Sequence, residues 1–126
     1  MKYIIDTHAL LWFQSNDNQL SEKAKQLISE NDIYISIVSF WEIAIKISIE
    51  KLKLNKTILQ LMQQAQIDNI TTLGITQVHI ETVAKLPFFH RDPFDRMLIS
   101  QAISENIPII SADIKFDLYN RVQRIW

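Results

Sequence analysis

The sequence predicts a three-layer α/β fold, with a central, mostly parallel β-sheet of four to five strands flanked by helices. Three observations carry this. Four short apolar runs rich in β-branched residues, at Lys2–Ile5, Ile33–Ile35, Ile70–Leu73 and Ile109–Ala112, have the look of buried parallel strands. Stretches of helical period separate them, as parallel crossovers require. The 126 residues contain one glycine and three prolines, too few for the tight turns of a sandwich or barrel. A chain of this length is expected to form one domain, residues 1–126, burying roughly two-thirds of its unfolded surface.

Each element follows from local chemistry. Lys2-Tyr3-Ile4-Ile5 gives the first strand and ends at Asp6-Thr7-His8, after which Ala9 to Phe13 begins a helix. Asp6 fits either of two roles: an N-cap for that helix, or an acid at the ligand-binding edge of an open sheet. Gln14 to Leu20 reads as a polar loop. Ser21 opens a helix to about Glu30 with Ala24, Leu27 and Ile28 inward, and Ile33–Ile35 forms the second strand, ending at Ser36. Val38 to Leu52 is predicted as a helix that is apolar nearly all round. Its exceptions, Ser39, Glu42, Lys46, Glu50 and Lys53, are spaced 3, 4, 4 and 3 and so share one face. That face is either a solvated stripe with a Glu42–Lys46 ion pair or the wall of a polar cleft.

Thr57 to Asp68 is an amphipathic helix with Ile58, Leu61, Met62 and Ala65 inward; Asn69 ends it, and Ile70–Leu73 is the third strand. Thr76 caps a further helix to Lys85, stopped by Leu86-Pro87, with His79 among its apolar residues as a structural histidine. In His90-Arg91-Asp92-Pro93-Phe94-Asp95-Arg96, Asp92 is an N-cap, Pro93 the first helical residue and Asp95 an N3 carboxylate. The helix runs from Phe94 to about Glu105, buried through Leu98, Ile99, Ala102 and Ile103. Ile109–Ala112 is the fourth strand, ending at Asp113. Ile114 to Tyr119 is a short helical turn, and Val122 to Trp126 a candidate last strand.

Composition excludes several classes of function. There is no cysteine, so disulfides, thiolate metal sites and thiol nucleophiles are absent. A net charge of −1 provides no general attraction to nucleic acid, so such binding needs a local basic patch. Asp6 and His8 interrupt the apolar N-terminus before it could act as a signal peptide, and no apolar run is long enough to span a membrane. A cytoplasmic protein is expected.

The acids converge. Asp6 and Asp113 each follow an apolar strand, which in a parallel sheet puts both on one edge. Asp95 and Glu42 begin helices that start from the same edge. Four clustered carboxylates repel unless protonated or neutralised by a cation. An oxygen-only set suits Mg²⁺ or Mn²⁺, and such an ion activates water and stabilises a reacting phosphodiester. Metal-dependent phosphoryl-transfer chemistry is therefore expected.

These residues also resemble a known family. Tyr3-Ile4-Ile5-Asp6-Thr7-His8-Ala9-Leu10-Leu11-Trp12, Ser39-Phe40-Trp41-Glu42-Ile43, His90 through Ile99, and Ile110-Ser111-Ala112-Asp113-Ile114-Lys115-Phe116 together resemble PIN domains. Within that family they resemble the VapC toxins of bacterial type II toxin–antitoxin pairs. The resemblance implies a parallel sheet flanked by helices, an acidic pocket for Mg²⁺ or Mn²⁺, and endoribonuclease activity neutralised by an antitoxin. The family's acids map onto Asp6, Glu42 and Asp95, with Asp113 as the fourth. Many members carry a fifth acid two residues later, where this chain has Lys115; Asp117 is not expected to replace it.

Asp6 and Asp113, on rigid strand ends, are expected to touch the metal directly, and Asp95 and Glu42 to act through water. Thr7, Ser39, Lys46, Arg91 and Arg96 are candidate contacts to RNA, although each has a structural reading too: the hydroxyls as caps, the arginines as partners of Asp92 and Asp95. His8 and His90 fit either proton transfer or a hydrogen-bonded structural role, the second being the stronger reading. Trp12, Phe13, Phe40 and Trp41 would suit a homodimer or an antitoxin groove if exposed. Two other readings are a PIN-like module that binds without cleaving and a phospho-accepting receiver domain. The receiver would need adjacent acids after the first strand and a lysine after the last.

Overall fold

A computed structural model describes all of residues 1–126. Five strands form one parallel sheet in the order β3-β2-β1-β4-β5: β1 Lys2–Ile5, β2 Asp32–Ser36, β3 Ile70–Leu73, β4 Ile109–Ile110 and β5 Arg124–Ile125. The expected three-layer α/β architecture is present. The helices are α1 Thr7–Ser15, α2 Glu22–Glu30, α3 Ile37–Ser48, α4 Ile58–Ile67, α5 Gln77–Lys85 and α6 Pro93–Glu105. A 3₁₀ turn at Ile114–Leu118 links β4 to β5.

Strand alternation divides the core in two. Tyr3, Ile5, Ile33, Ile35 and Ile110 point to one face, where they meet Ala9 and Leu10 of α1, Ala24 and Ile28 of α2, Phe40 and Ile43 of α3, and Leu61 and Ala65 of α4. Ile4 and Ile109 point to the other, against Leu98, Ile99 and Ala102 of α6 and against Leu86, Phe116 and Tyr119. The chain thus builds from β1 outward to β3 under one layer of helices. It then crosses back under the other layer to place β4 beside β1. This reversal is the topological switch point where open parallel sheets bind ligands, beyond the carboxyl ends of β1 and β4.

Helix ends follow the expected capping chemistry, with some shortening. Asp6, Ser21, Ser36, Thr57, Thr76 and Asp92 are side-chain N-caps. With glycine nearly absent, Asn16, Asn69 and Asn106 take the left-handed conformation after helices, with φ of 53°, 59° and 55°. Helix α3 stops at Ser48, four residues before the expected end at Leu52. Glu50 turns left-handed (φ 59°), and the Lys51 amide donates back to the Lys46 carbonyl at 2.8 Å. That closure turns Leu52 back onto the core instead of extending the helix. Strand β4 is two residues long, shorter than expected, although the Ser111 amide beyond it still donates to the Ile125 carbonyl of β5 at 3.1 Å. No helix is long and apolar enough to cross a membrane.

Candidate active site

Each acid is placed by an element end. Asp6 leaves the carboxyl end of β1 as the N-cap of α1, and its Oδ1 accepts from the Ala9 amide at 2.8 Å. Its Oδ2 accepts from Ser111 Oγ at 2.5 Å. Ser111 follows β4, is fully buried, and its Oγ accepts in turn from the Asp113 amide at 2.9 Å. One hydroxyl therefore ties two strand ends together and fixes Asp6 relative to Asp113. Asp113 caps the 3₁₀ turn by accepting from the Lys115 amide at 2.9 Å.

Glu42 reaches the same place from α3. Its Oε1 accepts from Thr7 Oγ1 at 2.7 Å and its Oε2 from Lys46 Nζ at 2.9 Å. Both sequence readings of that helix face hold in part, since the ion pair exists and the face lines a cleft. Ser39 and Glu42 are buried, whereas Trp41 on the apolar side stands 60% exposed. Only the first part of the polar stripe, Ser39, Glu42 and Lys46, lines the cleft; Glu50 and Lys53 at its far end are exposed. At the start of α6, Asp92 Oδ1 accepts from the amides of Phe94 (2.9 Å) and Asp95 (3.1 Å), with Pro93 as the first helical residue. Capping by Asp92 leaves Asp95 free to face the cleft.

The cleft has a volume of about 200 Å³ and gathers Asp6, Glu42, Asp92, Asp95 and Asp113, with Thr7, Ser39, Lys46, His8 and Lys115 at its walls. Burial, then the charges of Asp92, Asp113, Glu42 and Asp6, push the Asp95 carboxyl up to about 7. Asp6 is also raised, chiefly by burial, which outweighs the hydrogen bonds from Ser111 and Ala9 that favour its ionised form. Two carboxylates held unfavourably charged in one cleft are what a bound cation would relieve.

The structure relocates two of the expected RNA contacts. Arg91 lies on a neighbouring surface with Val38, Trp41, Phe88 and Met97, outside the acidic cleft. Arg96 is buried: its Nη1 donates to the Pro87 carbonyl (2.9 Å) and to Tyr119 Oη (3.2 Å), its Nη2 to the Leu86 carbonyl (3.2 Å), and Phe88 stacks on it at 4.4 Å. It pairs with neither Asp92 nor Asp95. A side chain on the inward face of α6 cannot reach the cleft, and its donors are spent on the loop before that helix. Asp117 pairs with Arg124 at 3.0 and 3.1 Å, away from the acids, so it supplies no fifth carboxylate. Phe40 is core, 2% exposed, and unavailable to a partner.

One neighbour of the acids escapes the sequence reading: Ser111, whose signal is a polar residue directly after an apolar strand and two before an acid. The sequence singles out His90 but not its partners: only the fold puts its Nδ1 2.8 Å from Tyr119 Oη and its Nε2 3.5 Å from Asp95 Oδ2. Burial, ahead of the opposing charge of Asp92, pushes the His90 imidazole below its ordinary value.

The donor set suits a hard cation, being all oxygen and net negative. No three His, Asp or Glu side chains are grouped to hold an ion by themselves. Magnesium suits such a site, because it keeps several waters and takes one or two carboxylates. A closed cage of four direct carboxylates, the simplest picture of converging acids, is not what forms.

A parallel three-layer fold with an acidic cleft at its switch point defines the class. The PIN domain family model matches residues 3–122, and the chain belongs to that family. Among curated relatives, Ribonuclease VapC22 of Mycobacterium tuberculosis (strain ATCC 25618 / H37Rv) is 29% identical over 112 residues, covering 87% of this chain and 85% of the relative. Similar folds occur in VapBC2 from Rickettsia felis bound to a DNA fragment from their promoter (TM-score 0.74, 16% identity, 99% of this chain and 98% of that one). They occur also in DNA-bound VapBC from Salmonella typhimurium (TM-score 0.72, 14% identity, 99% and 97%).

Proposed function

We propose that this chain is a divalent-metal-dependent endoribonuclease and the toxin of a VapBC-type toxin–antitoxin pair, with residues 1–126 working as one PIN domain. The observation that carries the reading is the meeting of Asp6, Glu42, Asp95 and Asp113 in one cleft of a PIN-family chain. The names of the ribonuclease relative and of the VapBC structures support the substrate class and the antitoxin partner.

Asp6 and Asp113 would hold Mg²⁺ or Mn²⁺ directly, while Asp95, and Glu42 with both oxygens already engaged by Thr7 and Lys46, would act through bound water. When bound, the ion lowers the pKa of a water and offsets charge developing on the phosphodiester. The protein's own residues do the rest. Ser111 locks Asp6 in one rotamer. Asp95, facing the cleft from the start of α6, would orient the attacking water. Lys46 and Lys115, the ammonium groups on the cleft wall, and the Thr7 and Ser39 hydroxyls contact the RNA backbone. Trp41, 60% exposed on the surface beside the cleft, suits a homodimer or antitoxin contact, and the protein works in the cytoplasm.

The test is cleavage of total RNA with Mg²⁺, with Mn²⁺ and with EDTA, for the wild type and Asp6→Asn. Cleavage that needs the metal and is lost in the variant is expected. Metal-independent cleavage, or none under any condition, would refute the proposal.

A further inference from the structure

We propose that His90 is a positioning residue for Asp95, a neutral imidazole that Tyr119 locks in its Nε2–H tautomer so that this N–H faces the carboxylate. The assignment follows from counting donors. A guanidinium only donates, so in the 3.2 Å contact between Arg96 Nη1 and Tyr119 Oη the phenol oxygen must accept. The phenol proton then has one polar neighbour left, His90 Nδ1 at 2.8 Å. With Nδ1 accepting, the ring proton resides on Nε2. An imidazolium would leave the buried phenol proton without an acceptor.

The direction of that Nε2–H is the informative part. Nε2 is buried without a hydrogen-bond partner, and Asp95 Oδ2 lies 3.5 Å from it. Buried donors are nearly always satisfied, and one left open beside a carboxylate marks a bond that closes in another state of the site. A separation of 3.5 Å is too long for a hydrogen bond, but catalytic contacts often stand open before the reacting groups are in place. A shift of about half an ångström would complete the chain Arg96–Tyr119–His90–Asp95. The chain starts from Arg96, which the Leu86 and Pro87 carbonyls hold, so Asp95 would be oriented from the packed loop before α6. This explains why Arg96 is a buried anchor, not an RNA contact.

The inference rests on the ribonuclease reading of the cleft, and two measurements separate it from that reading. Long-range ¹H–¹⁵N correlation spectra of ¹⁵N-histidine-labelled protein in EDTA should show the Nε2–H tautomer for His90 and a shift away from it in Tyr119→Phe; an Nδ1–H form in the wild type would overturn the assignment. In RNA cleavage, His90→Ala should lower kcat about 10–100-fold with KM unchanged, the range for partners of an active-site ligand. His90→Gln, whose amide nitrogen stands in for Nε2, should recover most of it. His90→Asn stands in for Nδ1 and restores only the Tyr119 contact, so it should not. Recovery by Asn instead of Gln, by neither, or no loss in His90→Ala, would make the residue merely structural and sink the proposal. A wild type that cleaves no RNA would sink the ribonuclease reading, and the tautomer would still decide His90.

Discussion

Replacing Asp95 by Asn should stabilise the metal-free protein above neutral pH while abolishing its activity. The Asp95 carboxyl is raised from 3.8 to about 7 by burial and by four neighbouring acids. Its folded pKa lies above its unfolded one, so between about pH 4 and 7 the native state holds a proton that the unfolded chain releases. The stability this proton provides is fully present below pH 4 and is lost as pH rises through 7. A gap of roughly three pH units corresponds to about 4 kcal/mol at 1.36 kcal/mol per unit. The side chain is 22% exposed, and solvent screening reduces this to roughly 2 kcal/mol. Asparagine keeps the shape and removes the charge. In EDTA at pH 8, Asp95→Asn should therefore melt about 6–10 °C higher than wild type, at roughly 3–5 °C per kcal/mol for this chain length. At pH 4.5, where the folded protein holds the Asp95 proton and the pH lies less than one unit above the unfolded value of 3.8, the difference should fall to about a quarter of that. Millimolar Mg²⁺ at pH 8 should raise the wild type more than the variant. Scanning calorimetry at the two pH values decides the matter. A variant that melts lower at pH 8, or a difference that does not change with pH, would refute the picture of a charge-strained cleft.

Ser111→Ala removes the donor that fixes Asp6 and links it to Asp113; single-turnover cleavage should slow about 10–100-fold, with little change in the denaturation midpoint. Arg96→Leu leaves the Leu86 and Pro87 carbonyls without their side-chain donor and removes one of the two partners of the Tyr119 hydroxyl, so urea unfolding should show a loss of about 2–4 kcal/mol, a cost that an exposed RNA contact would not have. Asp117→Asn should leave cleavage unchanged within error, because the residue pairs with Arg124 outside the cleft. A large loss of activity there would revive a fifth acid.

Much of this protein is legible in one dimension. Strand and helix positions follow from apolar runs, caps and breakers, which act over a few residues: Asp92, Pro93 and Asp95 declare the start of α6 by hydrogen-bonding rules alone. The parallel sheet follows from the crossovers. It puts Asp6 and Asp113 on one edge whatever the details of packing, and the helices that leave that edge bring Glu42 and Asp95 to it, in agreement with the family resemblance. What a side chain touches across the fold is a different matter. Arg96 and Asp95 are adjacent in sequence, yet a helix turns successive residues about 100° apart, so one points into the core and the other into the cleft. The inward turn of Ser39 and Glu42 on α3, the spending of both Glu42 oxygens, and the opening of the acids into a cleft of about 200 Å³ instead of a closed cage depend on how helices seat against the sheet. So does the meeting of His90, from the loop before α6, with Tyr119, from beyond β4. Periodicity sets which residues share a face, but only packing decides what that face meets.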